Sequence, residues 1–200
     1  MTAQPAFTRA NPDERRQSLI EATARVLAEK GAAGVSVRAI CAEAGVSPGL
    51  LRHYFTGVSE AIAETYRWTG QQIARALDRA VQAAGDDPRA RVIAYVAASF
   101  RPPIASPDLL ASYVAFWGLS RSDPLVAHVR AAIYAEFREG LEALLLAWQP
   151  ELSEPRLTAI GLSALIDGLW LELSLGDAPF SAEEAQALAE LWLEGIPRQH

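Results

Sequence analysis

Residues 42–55 read AEAGVSPGLLRHYF. A run of small residues with helical character meets Gly45-Val46-Ser47-Pro48-Gly49, and an aromatic and basic string follows at once. Glycine leaves a helix cheaply through the left-handed region. A serine followed by proline starts the next one, because proline lacks an N–H that would stay unpaired in a first turn anyway. The stretch therefore predicts two short helices, 37–44 and 48–54, joined by a tight corner: a helix-turn-helix. Ser36 caps the first and Ser47 the second. Ala39, Ile40 and Ala42 allow close packing, and Val46 plugs the corner. Leu51 and Phe55, four apart, face inward. Leu50, Arg52, His53 and Tyr54 are left to point outward or sideways.

That outward set suits a DNA major groove. A helix start offers free N–H groups to phosphate. Arginine bonds guanine O6 and N7 in bidentate fashion, and Tyr and His donate to phosphates. The same pattern also fits an ordinary helical corner with a solvated Arg and a half-buried His-Tyr pair.

Outward from the corner, helix-start signals recur and strand signals are nearly absent. Capping residue plus proline occurs at Asn11-Pro12, Ser47-Pro48, Asp87-Pro88, Ser106-Pro107 and Asp123-Pro124, and Ser181-Ala-Glu-Glu184 reads as a capping box. Gly31 and Gly176 stand where helix-ending glycines belong. Asp167-Gly168 lies inside a run with helical spacing and is not a hairpin. The expectation is an all-α, nine-helix chain with helices near 12–30, 37–44, 48–54, 59–84, 88–101, 107–119, 124–148, 154–175 and 182–194. Leu19, Ile20, Val26 and Leu27 form a stripe on the first, with Thr23 on the same face. A composition shift near residue 57 divides a head, 1–57, from a body, 58–200.

Net charge is −6, unusual for a nucleic-acid binder, but residues 1–57 carry +2 and residues 58–200 carry −8. A mildly basic head on an acidic body suits a small DNA module attached to something else. The N-terminus has no apolar stretch, so no signal peptide is expected. No uninterrupted apolar run of about 18 residues occurs, so neither a membrane span nor a membrane partner is expected. The longest apolar run carries Asp167 and Glu172. The single Cys41 excludes an intrachain disulfide. Together these predict a cytoplasmic protein.

No enzyme pattern stands out. The three His residues, 53, 128 and 200, are scattered and no His-x-x-x-His pair exists for a metal. Cys41 sits on a short apolar helix with no His nearby in sequence. There is no P-loop and no Gly-x-Gly-x-x-Gly. No cofactor, metal or catalytic residue is assigned.

The stretch VRAICAEAGVSPGLLRHYF resembles the helix-turn-helix signature of the TetR family of transcriptional repressors. The resemblance runs from Arg15 to Tyr66, including the helix that carries Leu19, Ile20, Ala22, Val26, Leu27 and Gly31. It implies a ligand-responsive repressor that binds a pseudo-palindromic operator as a homodimer and leaves it when a small molecule binds the body. It implies DNA contacts from Ser36, Arg38, Ser47, Pro48, Gly49, Leu50, Arg52, His53 and Tyr54. Two departures stand out: Arg52 where the family usually has an aromatic, and Val58 where it usually has Lys.

Tyr113-Val-Ala-Phe-Trp117 and Ala164-Leu-Ile-Asp-Gly-Leu-Trp170 further resemble BetI-type repressors, the choline-responsive branch, as does His53-Tyr54-Phe55. This implies a quaternary ammonium effector. Trp68, Phe100, Tyr113, Phe116, Trp117, Tyr134 and Trp170 are the aromatic candidates for its pocket. Asp167 either supplies the counter-charge or bonds across a subunit interface. The resemblance implies that the last two helices pair with their copies. Leu162, Leu165, Ile166, Leu169, Leu188, Leu191 and Trp192 are the candidates for that interface, a large monomeric core being the other reading.

Overall fold

The computed structural model describes residues 11–196. The outermost residues of both expected segments, including the N-terminal stretch read for a signal peptide and His200, lie outside them. The described residues form helices α1 (Pro12–Gly34), α2 (Val37–Ala44), α3 (Pro48–Tyr54), α4 (Val58–Ala83), α5 (Pro88–Ser99), α6 (Pro107–Leu119), α7 (Pro124–Trp148), α8 (Pro155–Leu175) and α9 (Ala182–Glu194), with no strand among them. The all-α reading holds.

Local chemistry sets most boundaries. Asn11 accepts from the Asp13 N–H and Glu14 reaches back to the Asn11 N–H, a capping box the sequence reading had assigned only to Ser181. Asp87 and Asp123 cap α5 and α7 as expected. Ser47 and Ser106 are a correction: they occupy N-cap positions, but neither hydroxyl accepts a cap hydrogen bond. α1 breaks at Gly31, whose φ is 62°, and one further turn follows to Gly34. α2 ends at Gly45, with φ of 64°, and the Val46 N–H closes back on the Cys41 carbonyl at 2.9 Å. That six-to-one bond is the Schellman geometry that turns the chain into α3.

Two apolar clusters result. Leu19, Ile20, Ile40, Cys41, Leu51, Phe55 and Ala61 form a small head core from α1, α2, α3 and the start of α4. A larger body core begins with Leu27 and runs through Ile62, Ala63 and Tyr66 to α9. α1 and α4 thus belong to both, and α1 lies along α6 as well as on α2 and α4. Two polar ties join head-side to body-side elements. Glu64 of α4 pairs with Arg16 of α1 and with Arg67. The Ser59 hydroxyl donates to Asp123 at 2.5 Å, linking the start of α4 to the cap of α7. Thr56 donates its N–H and O–H to Glu60, which holds that carboxyl below the usual range.

α8 packs on α6, α7 and α9. By length and composition alone it could cross a membrane, with a mean hydropathy of 1.4 over its most apolar window, of which 28% is buried. Its outer stripe is Leu157, Ala164, Gly168, Leu171 and Leu175, at helical spacing, with Leu157 52% and Leu175 66% exposed. α9 crosses close to it: a Cβ at Gly161 would lie 3.0 Å from the Trp192 ring.

Candidate functional site: an exposed recognition face and a body cavity

The corner orients its side chains as the spacing predicts. Leu51 is fully buried and Phe55 nearly so, with the Arg16 guanidinium 5.3 Å from the Phe55 ring centre. Ser36, Arg38, Ser47, Pro48, Gly49, Arg52 and His53 are exposed, while Leu50 and Tyr54 are half-buried. All nine expected DNA-contact residues sit on α2, α3 or their caps and none is buried, though Tyr54 packs partly against the head core. Tyr54 meets His53 edge to face, ring centres 5.0 Å apart. Ser47 makes no cap hydrogen bond at the start of α3, and a Cβ at Gly49 would meet only the Ser47 Oγ, at 3.9 Å. Val58 is half-buried against the body core, so it offers no substitute for a cationic side chain there.

In the body, a cavity of about 30 Å³ is lined by residues that include Tyr95, Tyr113, Tyr134, Phe137, Asp167 and Trp170. It is room for about one water. Of the expected pocket residues, Tyr113, Tyr134, Asp167 and Trp170 line it. Trp117 supports it from behind, its indole N–H donating to the Tyr134 hydroxyl at 2.8 Å. Phe116 is buried and stacks on Tyr66 at 4.2 Å, and Phe100 is a core residue. Trp68 lies elsewhere, in a cleft between α1, α4 and α6. Sequence reasoning missed Tyr95 and Phe137. The aromatic type was visible in both, but neither lay in a stretch that resembled anything.

The cavity has a distinct electrostatic character. Burial pushes the Asp167 carboxyl up to about 6, against a hydrogen bond from Tyr134 and the charges of Arg138 and Arg130. Burial likewise raises Tyr134 and Tyr113. The Tyr113 hydroxyl is buried without a hydrogen-bond partner among the described residues. Trp170 is fixed by donation to the Ser99 carbonyl at 2.9 Å. Arg130 and Arg138 flank the Tyr134 ring at 5.5 and 5.2 Å from its centre. A wider cleft of about 370 Å³ between α4, α5 and α7 shares Leu77, Tyr95 and Phe137 with the cavity.

The expected interface residues split. Leu188 and Leu191 are exposed, the latter 64%, and Trp192 is partly so. Leu165 is half-buried. Leu162, Ile166 and Leu169 are a correction: they are buried in the protomer's own core, at 0%, 5% and 8% exposure. The periodicity identified the most apolar face of α8, and that face turns inward. The face left open is built from Gly and Ala among leucines.

Among the described residues, no group of His, Cys, Asp or Glu is arranged to hold a metal ion. Cys41 is buried, and burial raises its thiol, the opposite of what a nucleophile needs.

Known proteins resemble this chain over both halves. Residues 19–58 match the model for bacterial regulatory proteins of the tetR family, and residues 88–198 match the model for the C-terminal part of BetI-type transcriptional repressors. An HTH-type transcriptional regulator BetI from Burkholderia cenocepacia is 33% identical over 180 residues, 90% of this chain and 92% of that one. A transcriptional regulator structure from Pseudomonas aeruginosa PAO1 superposes with a TM-score of 0.86 at 38% identity, covering 96% of this chain and 94% of that one. A regulator from Saccharomonospora viridis, solved in complex with choline, shares the fold with a TM-score of 0.79 at 21% identity, covering 94% of this chain and all of that one.

Proposed function

The chain belongs to the TetR family of transcriptional regulators, with a C-terminal half of BetI type, and from that premise we propose that it is a homodimeric repressor released from its operator by a small organic cation. It is a regulator and not an enzyme. The reading takes residues 1–57 as the DNA-binding head and 58–200 as the effector-binding and dimerisation body. A repressor works where the DNA is, so the compartment is the cytoplasm.

The observation that carries the DNA reading is the exposed polar set on α2 and α3, presented on a corner whose Ile40, Cys41, Leu51 and Phe55 are buried in the head core. Ser36 and Ser47 take phosphates, Pro48, Gly49 and Leu50 face base edges, and Arg52, His53 and Tyr54 divide groove and backbone between them. The test is selection of bound DNA from a random library, followed by binding titrations against salt. Affinity for the selected site falls steeply as salt rises. A flat salt profile, or no preferred sequence, overturns the reading. Arg38→Ala is expected to cost about 1–3 kcal/mol at the selected site and to relax one base preference. Equal losses on selected and random DNA would assign Arg38 to phosphate instead.

Two heads reading a pseudo-palindrome need a two-fold axis. Leu157, Leu171 and Leu175 of α8 with Leu188, Leu191 and Trp192 of α9 support an isologous four-helix contact, since small residues between the leucines let two helices approach closely. It also accounts for an apolar face on α8 without a membrane. Leu191→Glu puts two like charges into that contact. It is expected to raise the dimer dissociation constant at least about tenfold, equivalent to about 1.4 kcal/mol, as read by sedimentation velocity. An unchanged dimer would exclude this face.

For the effector, a carboxylate among Tyr95, Tyr113, Tyr134 and Trp170 suits an organic cation, whose charge meets Asp167 and whose apolar surface meets ring faces. The two guanidiniums around Tyr134 favour a second reading, an effector that also carries an anionic group. Typical ligand pockets are about 300 Å³ or more, so binding must displace side chains, and Phe137 stands between the cavity and the open cleft. Motion of α7 reaches α4 through Asp123 and Ser59, and α4 carries the head. Release then follows as a population shift toward the body conformation whose heads no longer match successive grooves.

A further inference from the structure

The core cavity, at about 30 Å³, is too small for an effector, and the cleft between α4, α5 and α7 adjoins it. That cleft measures about 370 Å³, which brings the space into the range of ligand pockets, ~300–1,000 Å³. Most of its lining is apolar: Ala74, Leu77 and Val81 of α4, Tyr95 of α5, and Phe137 and Leu144 of α7. Its charged members, Asp78, Arg91 and Glu136, are exposed or half-buried, whereas Leu77 and Val81 are buried. The acidic cavity and this apolar cleft share Leu77, Tyr95 and Phe137.

Phe137 stands out among these walls. It lines the cavity, this cleft and a third space of about 180 Å³ between α4 and α7. Three other aromatic walls of the cavity are held in place. Trp170 donates to the Ser99 carbonyl, Tyr134 accepts from Trp117, and Tyr113 meets Tyr66, Trp117 and Trp170 edge to face. The Phe137 ring is half-buried and meets no other aromatic ring among the described residues. Nearly one turn along α7, Gly140 lines the cleft without a side chain, and a Cβ there would meet nothing within 4 Å. Phe137 therefore has the freedom and the room to change between staggered rotamers.

We propose that the α4–α5–α7 cleft is the subsite for an apolar arm of the effector, which is therefore an elongated cation, and that Phe137 is the side chain that moves to admit it. The cationic head meets Asp167 and the rings of the cavity, and the arm lies on Leu77, Val81, Tyr95 and Leu144. A compact cation occupies the cavity alone and leaves the apolar wall of the cleft in water. Each methylene that covers this wall removes apolar area from water and so adds affinity. The proposal rests on the cationic reading of the core cavity.

The test is calorimetric titration of the full chain with tetramethylammonium, which is the head alone, and with n-octyltrimethylammonium, the same head with an arm, below its micelle concentration. The octyl compound is expected to bind at one per protomer and at least about tenfold more tightly. Gly140→Leu, at an exposed helical position with open space for a side chain, fills the cleft and is expected to bring the two affinities within about threefold of each other. Asp167→Asn is expected to weaken both cations at least about tenfold. Phe137→Ala removes the ring that must move, and octyl association followed by stopped-flow fluorescence is expected to be at least about tenfold faster. An octyl advantage below about threefold in the parent, or one that survives Gly140→Leu, overturns the arm subsite, while an Asp167-dependent tetramethylammonium titration leaves the core reading intact. An unchanged association rate in Phe137→Ala overturns the role of that side chain. Octyl binding that responds to Gly140→Leu and not to Asp167→Asn overturns the core reading instead, and the absence of binding by either cation overturns both.

Discussion

Phe55→Ala is expected to abolish operator binding and unfold the head, at a cost of about 3–5 kcal/mol. The head core consists of seven buried residues, and Phe55 is the largest of them. It closes α3: its own N–H bonds the Leu51 carbonyl at 2.9 Å, and its ring packs with Leu51 and Ile40 beneath the Arg16 guanidinium. Small domains are only marginally stable, and a core this small has few neighbours that can collapse into the void. The loss therefore falls on the orientation of the recognition helix before it falls on the body, whose larger core is separate. Circular dichroism melting should show an early transition in the variant, and anisotropy with operator DNA should show at least a hundredfold loss, about 2.7 kcal/mol. A single transition with operator affinity within threefold of the parent would mean that the head core does not hold α3.

The second large effect concerns Asp167. Its carboxyl stands at about 6 in the fold against 3.8 as an ordinary carboxylate, mainly because burial penalises the charged form. For an acid, a raised folded value means that the folded state holds its proton to higher pH than the unfolded chain does. The Asp167 contribution to stability is thus most favourable below about pH 4, falls as pH rises from about 4 to about 6, and stays lower above that, by about 2–3 kcal/mol. Asp167→Asn removes the titration, so the variant is expected to be more stable than the parent at pH 7 by up to that amount, with no corresponding slope between pH 4 and 6. Urea unfolding across this range reads it. Parallel slopes for parent and variant would show that Asp167 is not the buried titrating group. In the same variant, a cationic effector loses its counter-charge, and binding of choline as the probe is expected to weaken at least about tenfold. A more stable protein with a poorer effector response is what a functional burial of charge predicts.

These two sites differ in how far the sequence could reach them. The head was legible almost residue by residue. Gly45, Ser47-Pro48 and the Leu51–Phe55 spacing act locally, through backbone freedom, helix starts and one apolar face, and such effects are written in neighbouring residues. Even there the detail of capping was not: Ser47 sits at the cap without making its bond, because which hydroxyl rotamer forms depends on surroundings the sequence does not display. In the body, the aromatic and acidic types were visible, but their grouping was not. Trp68 and Tyr95 are both aromatic residues on long helices. The packing of α1 against α6 sends the first to the cleft between α1, α4 and α6, and the packing of α5 against α7 brings the second to the cavity beside Asp167.

Among the described residues, the sequence by itself determined the nine-helix pattern, the corner that presents α3, and the outward set of Arg38, Arg52 and His53, because each depends on contacts within a few residues. Only the tertiary structure decided which face of α8 is open. Leu162, Ile166 and Leu169 form its most apolar stripe and are consumed by α6, α7 and α9, while Leu157, Ala164, Gly168, Leu171 and Leu175 remain uncovered. It also decided that the Asp167 carboxylate is enclosed with Tyr113 and Tyr134. Periodicity ranks the faces of a helix by hydrophobicity, but whether a face meets its own chain, a second copy or a ligand depends on helices far away in sequence.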